Sequence, residues 1–136
     1  MTTIYITKGL PASGKTTWAR AVIDKNRDTV RVNKDDLRSM MLPEWSAEME
    51  SVIEAARDGI VSASLSSGRS VVCDDTNLHP VHEERLREIA EQHGATFEVV
   101  DFTDVPIEEC IRRDRLRDDG VGEDVIRRHY DTYLVF

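Results

Sequence analysis

The chain has 136 residues, a formal net charge of −8 and an apolar share of 40%, which fits one compact ordered domain over residues 1–136. Its apolar runs fall far short of the roughly 20 residues that cross a bilayer, and Met1 leads straight into a strand-like segment, so we expect a cytoplasmic protein. The acidic balance excludes broad nonspecific duplex binding, which needs many Lys and Arg, and leaves only a local grip through a few arginines in a cleft. In chain order, residues 3–7 are β-branched and aromatic and stop at Gly9, a first strand. From Gly14 the run through Ile23 predicts a helix with Trp18, Val22 and Ala21 on one face. Residues 29–32 make a second strand, and Asn33 caps a short helix over 35–41 that Pro43 ends. Met49, Val52, Ile53, Ala56, Ile60 and Ser64 recur at helical spacing, so 46–67 is a long amphipathic helix stopped by Gly68. A third strand over 70–73, a helix from Pro80 to Gly94 and a fourth strand over 96–102 follow. Residues 106–117 are helical, 118–122 form a loop, and a last helix runs from about 123 to 133. Strands alternating with helices predict an α/β fold with about four parallel strands and helices on both faces.

Gly9-Leu10-Pro11-Ala12-Ser13-Gly14-Lys15-Thr16 satisfies the Walker A pattern in full, between a strand and a helix, and specifies a P-loop NTPase fold. The glycines let backbone N–H groups wrap a phosphate, the helix N-terminus adds positive potential, and Lys15 reaches the β/γ-phosphates of ATP. Thr16 offers its hydroxyl to Mg²⁺. Pro11, Ala12, Ser13 and Thr17 complete the nucleotide-facing stretch. A P-loop alone does not separate a kinase from a switch or motor.

Asn33 to Arg38 emerges at the sheet edge where the P-loop opens, the place for an acceptor. A kinase needs a carboxylate to take the proton of the attacking hydroxyl and a group to fix the rest of the acceptor. Asp35 and Arg38, three apart, share a helix face, and Asp36 is rotated away. Asp35 is therefore the candidate base, and Arg38 offers a planar fork to an acceptor phosphate. Helix capping and a surface ion pair are the plainer account of the same spacing.

The run from Gly9 to Arg20, the segment from Asn33 to Arg38 and Asp75-Thr76-Asn77-Leu78-His79-Pro80 together resemble the polynucleotide 5′-hydroxyl kinase family, over nearly the whole chain. The resemblance implies transfer of the ATP γ-phosphate to the 5′-OH end of DNA or RNA, with Asp35 as general base and Arg38 on the acceptor phosphate. Family members of the phage type carry a phosphatase with an Asp-x-Asp motif. That motif is missing here, and no phosphatase domain is expected in this polypeptide. Ala12 stands where the family has glycine, at a position the Walker pattern leaves free, and should cost little.

Residues 71–75 form an apolar strand ending in acid, as in a Walker B element. Asp75 matches the family's DTN element and is a candidate to hold Mg²⁺ through water or to order the acceptor site; Asp74 is left to the strand's other side and Thr76 and Asn77 to the turn. Four arginines lie between Arg112 and Arg117, just before the Gly-containing loop, and look like a helical lid. Arg113 and Arg117, one turn apart and matched in the resembling family, are the candidates to cover the nucleotide and the transferred phosphoryl group. Arg112 and Arg115 read as a solvated face paired with neighbouring acids. Trp18, Trp45 and Tyr130 read as core or interface aromatics without a site role. The four histidines, 79, 82, 93 and 129, read as surface residues. Cys73 and Cys110, without CxxC or His partners, read as small buried hydrophobes in a reducing compartment.

Overall fold

A computed structural model describes residues 1–135. Four strands, β1 (Thr3–Lys8), β2 (Val30–Val32), β3 (Val71–Cys73) and β4 (Thr96–Asp101), form one sheet in the order β2-β3-β1-β4. Every pairing is parallel: Ile4 sits opposite Val71 on one side and Phe97 on the other. Six α-helices connect and flank them: α1 (Lys15–Lys25), α2 (Lys34–Met41), α3 (Glu50–Ser66), α4 (Pro80–Gln92), α5 (Ile107–Arg115) and α6 (Glu123–Tyr133).

Alternation along β1 explains the two layers. Ile4 and Ile6 point into a core with Ile53, Val61 and Leu65 of α3 and Leu86 and Ile89 of α4. Tyr5, on the opposite side of the strand, meets the Trp18 ring of α1 edge-on at 6.2 Å, and Trp18 meets Phe102 at 6.4 Å. A second core joins Leu10 and Leu78 to Cys110, Ile111 and Ile126, so α5 and α6 pack beneath the loop after β1. Both cysteines are fully buried, as the sequence leads one to expect, and burial pushes both thiols up in pKa. No helix among the described residues is long and apolar enough to cross a membrane.

Where the elements differ from expectation, the cause is local. Lys34 opens α2, because Asn33 Oδ1 accepts from the Asp36 N–H at 2.8 Å and so begins the helix one residue earlier. A short 3-10 turn over Ala47–Met49 precedes α3, and α5 ends at Arg115. Gly68 stops α3 as expected, at φ +81°. In α1 the buried apolar residue is Ala19 and Ala21 is exposed; in α3 Val52 is exposed and the inward face carries Arg57, at 1% exposure.

Candidate active site

Three loops leave the carboxyl ends of β1, β2 and β3 at the same edge, where open parallel sheets place ligands. With the α5–α6 connection they enclose a cleft of about 380 Å³.

The loop after β1 is shaped by close packing. A side chain at Gly9 would meet Ser13 Oγ at 2.8 Å and Phe102 Cβ at 2.9 Å, and the Gly9 N–H donates to the Thr76 carbonyl at 3.0 Å. Gly14 takes φ +107° and leads into α1. Ala12 takes φ +64°, the left-handed region, where a Cβ costs about 1 to 2 kcal/mol. The expectation that alanine costs little at this position is therefore corrected: the backbone here suits glycine. Lys15 is buried, and its ammonium donates to the Leu10 carbonyl at 2.5 Å and lies 3.4 Å from Ser13 Oγ, without an ion pair among the described residues. Burial lowers its pKa to about 8, a loss that Asp74 and Asp75 partly offset. Pro11, Ala12, Gly14, Lys15 and Thr16 line the cleft; Gly9 and Ser13 lie buried beneath it, and Thr17 is exposed on α1.

Asp35 and Arg38 stand on the far wall. Arg38 Nη1 donates to Asp35 Oδ1 at 2.5 Å, while its Nε donates to Glu50 Oε2 at 3.0 Å and its Nη2 to Glu50 Oε1. The Arg38 fork, and to a lesser extent the Trp45 indole N–H, hold the Glu50 carboxyl at about pKa 2. Asp36 faces away and pairs with Arg31 at 3.0 Å. Asp35 does not cap its helix, since Asn33 does.

The acids after β3 are both inside. Asp75 Oδ1 accepts the Lys34 backbone N–H at 2.9 Å, tying the end of β3 to the first turn of the helix that carries Asp35 and Arg38. His79, not Asp75, caps α4. Asp74 is not turned away from the site, as the sequence suggested: it is 1% exposed, accepts from Arg31 Nε at 2.8 Å and lines the cleft. Asp74 Oδ1 and Asp75 Oδ2 are buried with no hydrogen-bond partner. Two unpartnered carboxylate oxygens, on residues that line the same cleft as Thr16, are hard oxygen donors of the kind that fits Mg²⁺. Thr76 lines the cleft, and Asn77 turns the chain at φ +46° with its amide donating to the Thr7 carbonyl at 2.8 Å.

Burial raises the Asp75 pKa from 3.8 to about 6, against the pull of Lys34. The unfolded chain releases this proton first as pH rises. The penalty is thus absent below pH 3.8, grows between 3.8 and 6, and is full above 6, where it amounts to about 3 kcal/mol. Asp75→Asn keeps the oxygen that accepts from Lys34 and removes the buried charge. It should raise the melting temperature at pH 7 to 8 and leave it unchanged near pH 3.5, a result that thermal melts across pH would check.

Arg117 lies just past α5, exposed, and lines the cleft. Arg113 does not line the cleft: its Nη1 reaches the Ala12 carbonyl at 3.5 Å and its Nε donates to Glu109 at 2.9 Å, so it braces the P-loop. Arg112 and Arg115 pair at the surface with Glu109 and Glu123. Asp114 is no part of that surface: it is 4% exposed and accepts from the Val121 and Gly122 N–H groups at 3.0 and 2.9 Å, which latches the loop carrying Arg117.

Three of the four histidines, His82, His93 and His129, are half-buried and only His79 is exposed. His129 of α6 is half-buried and lines the cleft, with its pKa lowered by burial. His82 is half-buried between Arg57 Nη1 at 3.2 Å and Lys34 Nζ at 3.4 Å; burial and these cations lower its pKa to about 4. Sequence reasoning also passed over Lys34, which lines the cleft beside Asp35 within the same motif. Nothing in the α6 sequence announces that Val125 and His129 line the cleft, because only the packing of α5 and α6 on Leu10 brings them there.

That strand order, with the phosphate loop leaving an inner strand and an acid-bearing edge facing it, is the architecture of P-loop kinase domains. Over residues 4–134 the chain matches the family model AAA_33, an AAA domain, and belongs to that family. It is similar to the L-seryl-tRNA(Sec) kinase of Methanococcus maripaludis, 25% identical over 134 residues, 96% of this chain and 52% of that protein. It is 33% identical over 91 residues to the 2′,3′-cyclic-nucleotide 3′-phosphodiesterase of Pongo abelii, 67% of this chain and 22% of the other. Among solved structures, a chain of the Pnkp1/Rnl/Hen1 RNA repair complex superimposes with a TM-score of 0.76 at 27% identity, covering 97% of this chain and 44% of the other. The chain thus spans about half the length of these relatives or less.

Proposed function

We propose that this chain is a polynucleotide 5′-hydroxyl kinase, using ATP and Mg²⁺ to phosphorylate the 5′-OH end of DNA or RNA. The observation that carries the proposal is that Asp35 and Arg38, a carboxylate and a guanidinium joined at 2.5 Å, face Lys15 and the P-loop across one cleft. A base beside a cationic fork suits a hydroxyl acceptor that also carries a phosphate, as a strand end does. Two of the relatives carry RNA in their names, a seryl-tRNA kinase and an RNA repair complex, which supports an acceptor that belongs to a nucleic acid.

Catalysis here is positioning and charge stabilisation. Lys15 and the loop N–H groups hold the β/γ-phosphates. Arg38 takes the phosphate on the 3′ side of the terminal nucleotide, exchanging part of its contact with Asp35 for it and freeing that carboxylate to accept the hydroxyl proton. As the 5′ oxygen bonds to the γ-phosphorus, the bond to the bridging oxygen breaks and ADP leaves. Thr16, Asp74 and Asp75 are the residues that would hold Mg²⁺, whose chemistry is to neutralise phosphate charge. Arg117 covers the transferred group from the latched loop, and Arg113 keeps the P-loop in shape.

The test is transfer of labelled γ-phosphate to short 5′-OH oligonucleotides of DNA and RNA, comparing the wild type with Arg38→Ala. The wild type should label ends, and the variant should fall by a factor on the order of 10². Full activity in the variant would mean an acceptor without a phosphate, and a small-molecule or nucleoside kinase. ATP hydrolysis without any labelled end would end the polynucleotide reading, and a protein that binds ATP and transfers nothing would be a switch.

A further inference from the structure

We infer that Trp45 forms a second acceptor subsite, on which a nucleobase downstream of the phosphorylated end stacks; the inference rests on the polynucleotide reading and states how the strand leaves the cleft. The sequence alone places Trp45 among core or interface aromatics, but the structure leaves it 59% exposed. It stands on the link between α2 and α3, near Met40 and Met41, exposed at 75% and 38%. Its other features tie it to the cleft. The indole Nε1 donates to Glu50 Oε2 at 3.0 Å, and the same oxygen accepts from Arg38 Nε at 3.0 Å. One carboxylate oxygen therefore joins the exposed ring to the guanidinium that lines the cleft. A strand whose first internucleotide phosphate, on the 3′ side of the terminal nucleotide, lies on Arg38 would pass next to this ring.

Charge decides what the ring would contact. The chain carries a net charge of −8, Glu44 and Glu48 flank Trp45 in sequence and Glu50 holds its indole N–H, so apart from Arg38 itself these neighbours offer a further backbone phosphate no cation. A base face needs none: stacking on an aromatic ring is tolerant of sequence and does not draw on charge. The pinned indole N–H limits the ring's freedom before the strand arrives, which reduces the ordering cost of binding. An acidic protein can thereby hold a single strand with one phosphate contact and one stack.

The experiment compares acceptor kinetics of the wild type, Trp45→Ala and Trp45→Phe on two substrates: the shortest 5′-OH acceptor that the wild type labels, and a 5′-OH oligonucleotide of about eight nucleotides. Trp45→Ala should raise KM for the longer acceptor about tenfold and leave KM for the short acceptor and for ATP unchanged. Trp45→Phe, which keeps a stacking face and loses the N–H, should recover most of the affinity. An unchanged KM for the longer acceptor would overturn the inference. So would an equal rise for both acceptors, or a phenylalanine variant as weak as the alanine one, since Trp45 would then act only by positioning Glu50 and Arg38. If the wild type labels no oligonucleotide, the polynucleotide reading itself fails and the subsite with it.

Discussion

Lys15→Ala is expected to lower phosphoryl transfer by a factor on the order of 10² to 10³ while raising, not lowering, thermal stability at pH 7. The two effects have one cause. The Lys15 ammonium is held inside the P-loop and donates to two neutral acceptors, the Leu10 carbonyl and the Ser13 hydroxyl, so its charge is left for an arriving phosphate. Burial moves its pKa from 10.5 to about 8. The folded protein thus loses the proton near pH 8 while the unfolded chain keeps it to 10.5, so the folding penalty is full below pH 8 and fades as pH rises toward 10.5. Single-turnover kinetics with labelled ATP, set beside melts at pH 7 and pH 10, would read both. The alanine variant should be more stable at pH 7 and lose that advantage at pH 10. ATP binding by the wild type, followed by calorimetry, should also weaken between pH 7 and 9 as the ammonium is lost, and a variant that melts lower at pH 7 would show that Lys15 is there for packing.

Asp35→Asn is expected to reduce kcat by a factor of roughly 10² to 10⁴, the range for a positioned general base, with KM for ATP unchanged. The asparagine keeps an oxygen for Arg38 Nη1, so the acceptor wall should stay in place and the loss should fall on the step that removes the proton. Asp35 is exposed, with 81% of its side chain open to solvent, and neither caps α2 nor packs in a core. Stability should therefore change by no more than about 0.5 kcal/mol. Steady-state kinetics with both substrates varied would decide it. Activity within tenfold of the wild type would remove Asp35 from the chemistry and turn attention to Asp75, whose carboxyl is raised to about 6 but is committed through Oδ1 to the start of α2.

Lys15 and Asp75 share a pattern: each is a charge buried at a cost to folding, in a cleft where an anion or a cation would relieve it. Cores built for stability alone do not keep unpartnered carboxylate oxygens such as Asp74 Oδ1 and Asp75 Oδ2. Asn for Asp75 and Ala for Lys15 are the substitutions that should separate stability from activity.

Much of this molecule follows from local chemistry and is legible in the amino-acid order. The Walker A residues, the Asn33 cap and the Asp35–Arg38 spacing are short-range features, and the alternation of apolar strands with helices implies a parallel sheet before any strand is paired. The site is only half local. The three edge loops come together because the sheet order β2-β3-β1-β4 sets β3 beside both β1 and β2, an outcome of long-range pairing that no window of residues contains. That pairing put Asp74 inside the cleft and gave Asp75 the N-terminus of α2 to hold, while the packing of α5 and α6 on Leu10 brought His129 to the same cleft. Trp45 is exposed on the link between α2 and α3, and α3 itself buries Ile53, Arg57, Val61, Ser64 and Leu65, which matches the expected apolar face only at Ile53 and Ser64. Local order thus determined the phosphate loop and the acceptor helix, where the chemistry depends on neighbours within a turn. The burial of charged groups such as Arg57, Asp74 and Asp75, which depends on what the rest of the chain packs against each residue, was decided only by the tertiary structure.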